Sequence, residues 1–417
     1  MKVNKYLMTA ALSVGFAGVA SAQVNHIYLS GSTAFRAATF NAVKASFDAA
    51  PTVAAWGCAA ANLVPTGEIQ AQTGKFMMFS NTVSSTPTIV KCAWSGSEAG
   101  IQDVVQNSTK FEGFPTDDQL TGNITLTTGV PNTNDQSHVD IAMADNSQVS
   151  SKTKTPALTG FCKAGVIPFV WCKNNQTNSS ITTAPADWSA ISNLSDANLA
   201  LALAGNLKMA QLIGDPANTK YCYVAGRNNN SGTRVNAYLT AGQPILLNSQ
   251  QIQIAAGPGG TATNSALLAS ATTPYPGGSP ATGGNGQDSG GTLGNTMTIA
   301  GSATTTDGVN GGTGWYAVAY IGIPDFFGAQ LGGAVSLTFN GVPFSVGNVQ
   351  EGTYTMWNYE YSYLANGDTA TGGNIAAFNF FNTMCTKWDS SINAGFEISL
   401  ASMHCVKATD QADPVHN

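Results

Sequence analysis

Charge is scarce in this chain. Of 417 residues only 10% are Asp, Glu, Lys or Arg, against about 25% in an ordinary soluble domain. Lys and Arg form no cluster and the formal net charge is −6, so the basic footprint that nucleic-acid binding needs is missing. Histidine is sparse too, with four residues, and none of the seven cysteines falls in a C-x-x-C pair. A zinc site therefore has no ligand set to draw on. No G-x-S-x-G elbow occurs, which removes the usual arrangement of a serine hydrolase. Beyond the N-terminus no segment reaches 18 consecutive apolar residues, so no membrane-spanning helix is expected in the mature chain.

What remains is a folding composition. The apolar fraction is 43% and Gly numbers 45, so Ser, Thr, Asn and Gln carry the polarity that charge does not. The length suits two domains or one large one. The N-terminus reads as an export signal over residues 1–22. Lys2 and Lys5 precede an apolar run from Leu7 to Ala20, which ends in Ala20-Ser21-Ala22, an A-x-A cleavage pattern. Cleavage after Ala22 leaves a periplasmic or secreted protein, and with no Cys at the cut a lipid anchor is not indicated. That compartment permits disulfides. From nearness along the chain we expect Cys58–Cys92 and Cys385–Cys405, with Cys162, Cys172 and Cys222 left over.

Four stretches share one construction. His26-Ile27-Tyr28-Leu29 is β-prone, Ser30-Gly31-Ser32-Thr33 turns, and AFRAATFNAVKASF follows with helical spacing. Ile89–Gln106 repeats this around Ser95-Gly96-Ser97, and Val139–Ala144 is a buried strand ending at Asp145-Asn146-Ser147. The fourth is Tyr221–Ala225 leading into Gly226–Leu239, GRNNNSGTRVNAYL. There Ser231 and Thr233 can cap a helix, whose first N–H groups and dipole attract an oxyanion, and Arg227 can fold back over the same point. In open α/β sheets ligands bind outside the carboxyl ends of strands. Gly165–Lys173 reads as a strand, Leu194–Gly205 as a helix capped by Ser195, Asn348–Leu364 as an aromatic strand, and Asn374–Trp388 as a helix. Residues 256–314, rich in Gly, Ser, Thr and Pro, read as long loops. The aromatic residues Trp315, Tyr316, Tyr320, Trp357, Tyr359 and Tyr361 read as core or edge strand rather than as a sugar-stacking platform.

Arg227-x-x-x-Ser231-Gly232-Thr233 is similar to the Arg-x-x-x-Ser-Gly-Thr signature of the periplasmic phosphate-binding proteins of ABC importers, within the type II periplasmic solute-binding proteins. Most of the mature chain resembles that family in order. Ser32-Thr33 resembles its first hydroxyl-bearing loop, Gly96-Ser97 its second helix start, and Asp140 to Asp145 its strand end. Asn193–Gly205 resembles its helix ending in glycine, Gly314–Phe326 its return strand, and Asn348 to Tyr354 its C-terminal motif.

The resemblance implies an α/β chain with the two-lobed type II periplasmic binding protein fold, mixed sheets and two hinge crossovers. Lobe I would take residues 23–167 and 312–417, and lobe II residues 168–311 with the Gly/Ser/Thr-rich insertion. The implied anion contacts are Ser32, Thr33, Ser97, Asp145, Arg227, Ser231, Gly232 and Thr233, with no catalytic residue, metal or cofactor. The implied partners are a small inorganic anion, phosphate first, and an ABC permease, and we expect a monomer. Asp145 would favour a protonated phosphate over bare sulfate oxygens. Three departures stand out: Asn229 replaces an acidic residue near the arginine, Glu98 puts a carboxylate beside Ser97, and the stretches Cys58–Cys92 and Asp103–His138 and the Gly-rich region are longer than the resemblance implies. Two other functions compete: a secreted protein of this fold with a surface or structural role and no transporter, and a phosphatase-like hydrolase. For the residues singled out, helix capping, a strand-end turn and a surface ion pair are the plain alternatives.

Overall fold

The computed structural model describes residues 23–59, 65–121, 125–175, 177, 185–246, 286–298, 306–307, 312–313 and 316–416. The export signal, most of the Gly-rich stretch 256–314, and Trp315 lie outside them.

Apolar runs with β-branched and aromatic residues place most strands in one mixed sheet. Among the described residues it is 11-stranded. From one edge the order is Tyr223–Ala225, Ala317–Gly322, Gly160–Lys173, Trp357–Leu364, Ile141–Ala144, Asn25–Gly31 and Thr86–Ala93. Phe76–Val83, Thr52–Trp56 and Thr125–Thr127 complete it, and Val335–Ser336 pairs beside Gly160–Lys173. Asn25–Gly31 runs parallel to both its neighbours, and Tyr223–Ala225 parallel to Ala317–Gly322. Parallel strands buried on both faces read as continuous apolar runs, and Ile141–Ala144 and Ala317–Gly322 are buried throughout.

Two strands hold this sheet together. Gly160–Lys173 has 14 residues, several more than the Gly165–Lys173 expected. Its first part, Gly160–Pro168, pairs antiparallel with Trp357–Leu364, and its last part, Phe169–Lys173, with Ala317–Gly322. Trp357–Leu364 also pairs antiparallel with Ile141–Ala144. Among the described residues the parallel strands on the two sides are therefore joined in the sheet through these two.

Helices form where caps and apolar spacing agree. Ser195 caps Asp196–Leu203 with a reciprocal bond from Asn198, and Asn374 caps Ile375–Cys385. The stretch read as an aromatic strand from Asn348 is instead a short helix, Val346–Gln350, followed by the strand Trp357–Leu364. The described part of Gly314–Phe326 likewise divides into the strand Ala317–Gly322 and the start of a helix Ile323–Leu331, whose first turn Pro324 fits. One helix falls where only loop was expected. Gly290–Met297, capped by Ser289, is rich in glycine but buries Leu293 and Met297 completely. Burial of two such side chains contributes about 1.5–3 kcal/mol each, which offsets the roughly 0.5–1 kcal/mol cost of each helical glycine.

The disulfide expectations are corrected. Cys162 on the long strand bonds Cys385 at the end of helix Ile375–Cys385, and Cys58, Cys92, Cys172, Cys222 and Cys405 are free and buried. Nearness in sequence misled, because Cys92 lies within the sheet opposite Leu29 and Met77, while Cys405 donates to the Val349 carbonyl at 3.6 Å.

Candidate functional site

The four strand ends converge. The Ser32 amide donates to the Met143 carbonyl at 2.7 Å, the Gly96 amide to Gly31 at 2.8 Å, and the Glu98 amide to Asn230 at 2.9 Å. Those three bonds tie the first, second and fourth turns around the third, where Ile141–Ala144 ends at Asp145.

Asp145 is the centre of the cluster. Its side chain is buried, with Oδ1 accepting from the Ser97 hydroxyl at 2.5 Å and Oδ2 from the Thr233 hydroxyl at 2.9 Å. Its carbonyl accepts from Asn236 Nδ2 at 2.7 Å. Gly232 is forced by the approach of this carboxylate: a Cβ there would meet Asp145 Oδ1 at 1.7 Å and Asn146 Oδ1 at 2.5 Å. Gly96 is required for a second reason, since its φ of +99° favours glycine and a Cβ would meet the Asn230 carbonyl at 2.5 Å. Burial pushes the Asp145 carboxyl above its ordinary range, while the hydroxyls of Ser97 and Thr233 and the charge of Arg227 pull the other way.

The remaining expected residues take different places. Ser231 caps helix Gly232–Thr240, its hydroxyl accepting from the Arg234 amide at 3.2 Å. Ser32 is fully buried and its hydroxyl donates to Glu360 Oε2 at 3.3 Å. Thr33 is buried, and its carbonyl accepts from Arg36 Nε. Neither caps the helix Arg36–Ala45, whose preceding residue is Phe35. Arg227 is buried, with Nε donating to the Gln287 carbonyl at 3.1 Å and Nη2 to the Asp288 carbonyl at 3.0 Å. Its amide donates to the Tyr320 hydroxyl, and Asp325 and Asp145 supply the negative field that opposes its desolvation. The structure thus joins Ser97, Asp145, Gly232 and Thr233 directly, adds Ser32 through Met143, and brings Arg227 close enough for its charge to act on Asp145.

The two single-residue departures from the expected pattern, Glu98 and Asn229, belong to one strap. The Glu98 carboxylate is buried and accepts from Asn146 Nδ2 at 2.8 Å, the Ser151 hydroxyl at 3.0 Å and the Lys152 amide at 2.9 Å. It holds the turn after Asp145 in place. Lys152 Nζ then reaches across to the Asn229 carbonyl at 2.8 Å and Asn230 Oδ1 at 3.0 Å.

Three residues that bear on the site were missed in the sequence. Asn236 bridges Asp145 to Asn358, Tyr320 accepts from Arg227, and Glu360 meets Ser32. The signal for the last was available: in Trp357–Leu364, WNYEYSYL, polar and aromatic residues alternate, and alternation places Asn358, Glu360 and Ser362 on one face. The described aromatic residues read as core, Tyr316, Tyr320, Trp357, Tyr359 and Tyr361, are all buried.

No protein-family profile matches the chain, and no curated protein matches it. Among solved structures it is similar to a protein from Clostridium perfringens described as a phosphate ABC transporter substrate-binding protein with bound phosphate. That likeness has 12% identity, a TM-score of 0.47, and covers 90% of this chain and 100% of the other. An ABC-type phosphate transport receptor from Vibrio cholerae is similar at 12% identity and a TM-score of 0.42, over 86% of this chain and 93% of the other. A phosphate-binding protein from Stenotrophomonas maltophilia is similar at 13% identity and 0.35, over 89% and 86%. Among the described residues no helix is long and apolar enough to cross a membrane. The chain is a mixed α/β protein in which one continuous sheet carries a buried, donor-rich cluster at its strand ends.

Proposed function

We propose that this chain binds a small tetrahedral oxyanion, phosphate first, in a cleft between two lobes, and performs no catalysis. The lobes, expected to divide at 167/168 and 311/312, meet in this reading along the two strands that join the halves of the sheet. The observation that carries it is the convergence of Ser97, Gly232 and Thr233 on the Asp145 carboxylate, with Arg227 behind. Hydroxyls, helix-start amides and a guanidinium suit an anion, since hydrogen bonds with a charged partner contribute roughly 1.5–3 kcal/mol each. Ser32, Thr33 and Ser231 complete the set in this reading. In this reading the Asp145 carboxylate, held by Ser97 and Thr233 and by the charge of Arg227, discriminates by accepting a hydrogen bond from a protonated phosphate oxygen and rejecting bare lone pairs.

A periplasmic or secreted setting fits the export signal and the Cys162–Cys385 disulfide, and delivery to an ABC permease follows from the resemblance. A second reading has its own support. The hydroxyls of Ser97 and Thr233 already bond a carboxylate of the chain, as they would in a structural protein of this fold that binds nothing there.

Thermal unfolding of the mature protein with phosphate, sulfate and other tetrahedral anions separates the two. At an anion concentration of about 100 times Kd, stabilisation of about 2.7 kcal/mol is expected, and Arg227→Ala removes it. Unchanged melting with every anion favours the structural reading.

A further inference from the structure

The strand Trp357–Leu364 has two unlike faces. Trp357, Tyr359, Tyr361 and Tyr363 lie on one. On the other, Asn358, Glu360 and Ser362 are each at most 1% exposed. Three atoms of this polar face, Asn358 Oδ1, Glu360 Oε1 and Ser362 Oγ, have no hydrogen-bond partner among the described residues. An unmatched buried polar group costs about 1–3 kcal/mol, so three in a row on one strand face need an explanation.

Their location supplies one. Asn358 bonds Asn236, the residue that also holds the Asp145 carbonyl, and Glu360 bonds Ser32 in the first turn. The face is therefore the floor beneath the Asp145 cluster. The strand pairing breaks register at this point: Glu360 lies opposite Gly165 and Tyr361 opposite Lys163, leaving Ala164 as an extra residue. Such bulges re-aim side chains next to functional sites.

The charged groups acting on Glu360 are carboxyls. Asp145 approaches from the end of Ile141–Ala144 and Glu397 from the segment after helix Trp388–Ser391. Burial first, then these two, hold the Glu360 proton on well above the ordinary carboxylic range, against the pull of the Ser32 hydroxyl. A neutral carboxyl is a donor, and a donor is what an oxyanion needs.

We propose that the polar face of Trp357–Leu364 is the floor of the oxyanion site, and that the Glu360 carboxyl donates a hydrogen bond to an anion oxygen. This rests on the oxyanion reading above. The contact lies on a strand that joins both sides of the sheet, so binding there grips the strand about which the two sides would move.

Calorimetric titration of inorganic phosphate into the mature protein tests it, with wild type, Glu360→Gln, Glu360→Met and Arg227→Ala compared at pH 6. Glu360→Gln keeps a donor and is expected within a few-fold of wild type at pH 6. Glu360→Met loses it and should bind at least tenfold more weakly, while melting no lower than wild type without phosphate because an unmatched buried carboxyl is gone. A Met variant that binds like wild type overturns the contact, and a Gln variant that binds as weakly as the Met variant overturns the proton-donor role. If wild type binds and only Arg227→Ala fails to, the oxyanion reading survives and the Glu360 assignment falls. If wild type binds neither phosphate nor sulfate, both fall.

Discussion

Glu98 and Glu360 are buried glutamates that both border one cluster, and they are treated in opposite ways. Glu98 has three donors from the turn it holds, and Lys152 adds positive field. Glu360 has one hydroxyl at 3.3 Å and faces two further carboxyls. Burial raises both, but only Glu98 has its oxygens matched by the protein. A matched buried acid fixes local structure, whereas an unmatched one is either a liability or a contact held ready for something else.

Removing the matched acid should have the largest effect. Glu98→Ala strands the Asn146 amide, the Ser151 hydroxyl and the Lys152 amide, and should cost about 3–5 kcal/mol, by the penalty for uncompensated buried partners. Urea unfolding at neutral pH measures it; a loss under about 1 kcal/mol would erase the contrast with Glu360.

Glu397 extends the comparison into pH. Its carboxyl, raised by burial to about 7, accepts from the Asn393 amide at 2.8 Å. Because the folded value exceeds the unfolded one, its contribution is fully present below about pH 4.5 and is lost as pH rises through about 7. The shift corresponds to about 3 kcal/mol. Stability measured against pH should therefore decline over that window in the wild type and decline less in Glu397→Gln, and identical slopes would contradict it.

Gly232→Ala tests the centre. The new Cβ displaces Asp145 or Asn146, with an expected loss of about 1–3 kcal/mol, as for overpacked cores, together with loss of any anion-dependent rise in melting temperature. Wild-type anion response in this variant would move the site elsewhere.

The smallest effect belongs to the strap. Lys152→Ala removes two bonds from a partly exposed ammonium and should cost about 0.2–1 kcal/mol, as surface charge pairs do. Hydrogen exchange of the 226–231 turn should quicken in the same variant. Unchanged exchange there would mean that the strap does not restrain that turn.

Much of the architecture was legible from short-range rules. Strand, turn and helix recur around Ser32, Ser97 and Ser231, and a strand ends at Asp145, because apolar runs, glycine and, at Ser231, a cap residue act locally. The same rules failed at Gly290–Met297, where glycines argue against helix and only Leu293 and Met297 meeting a core make one. They failed again for the cysteines, because Cys162 and Cys385 are separated by 223 residues and joined only by packing.

The sequence by itself determined which residues could bear donors and where the backbone must turn, since those properties belong to single residues and their neighbours. Only the tertiary structure decided that Ser97, Gly232 and Thr233 close on Asp145, that Glu98 is bound into the next turn, and that Glu360 is buried beneath them. The physical reason is that burial and charge pairing depend on contacts between segments far apart in the chain, which no local pattern records.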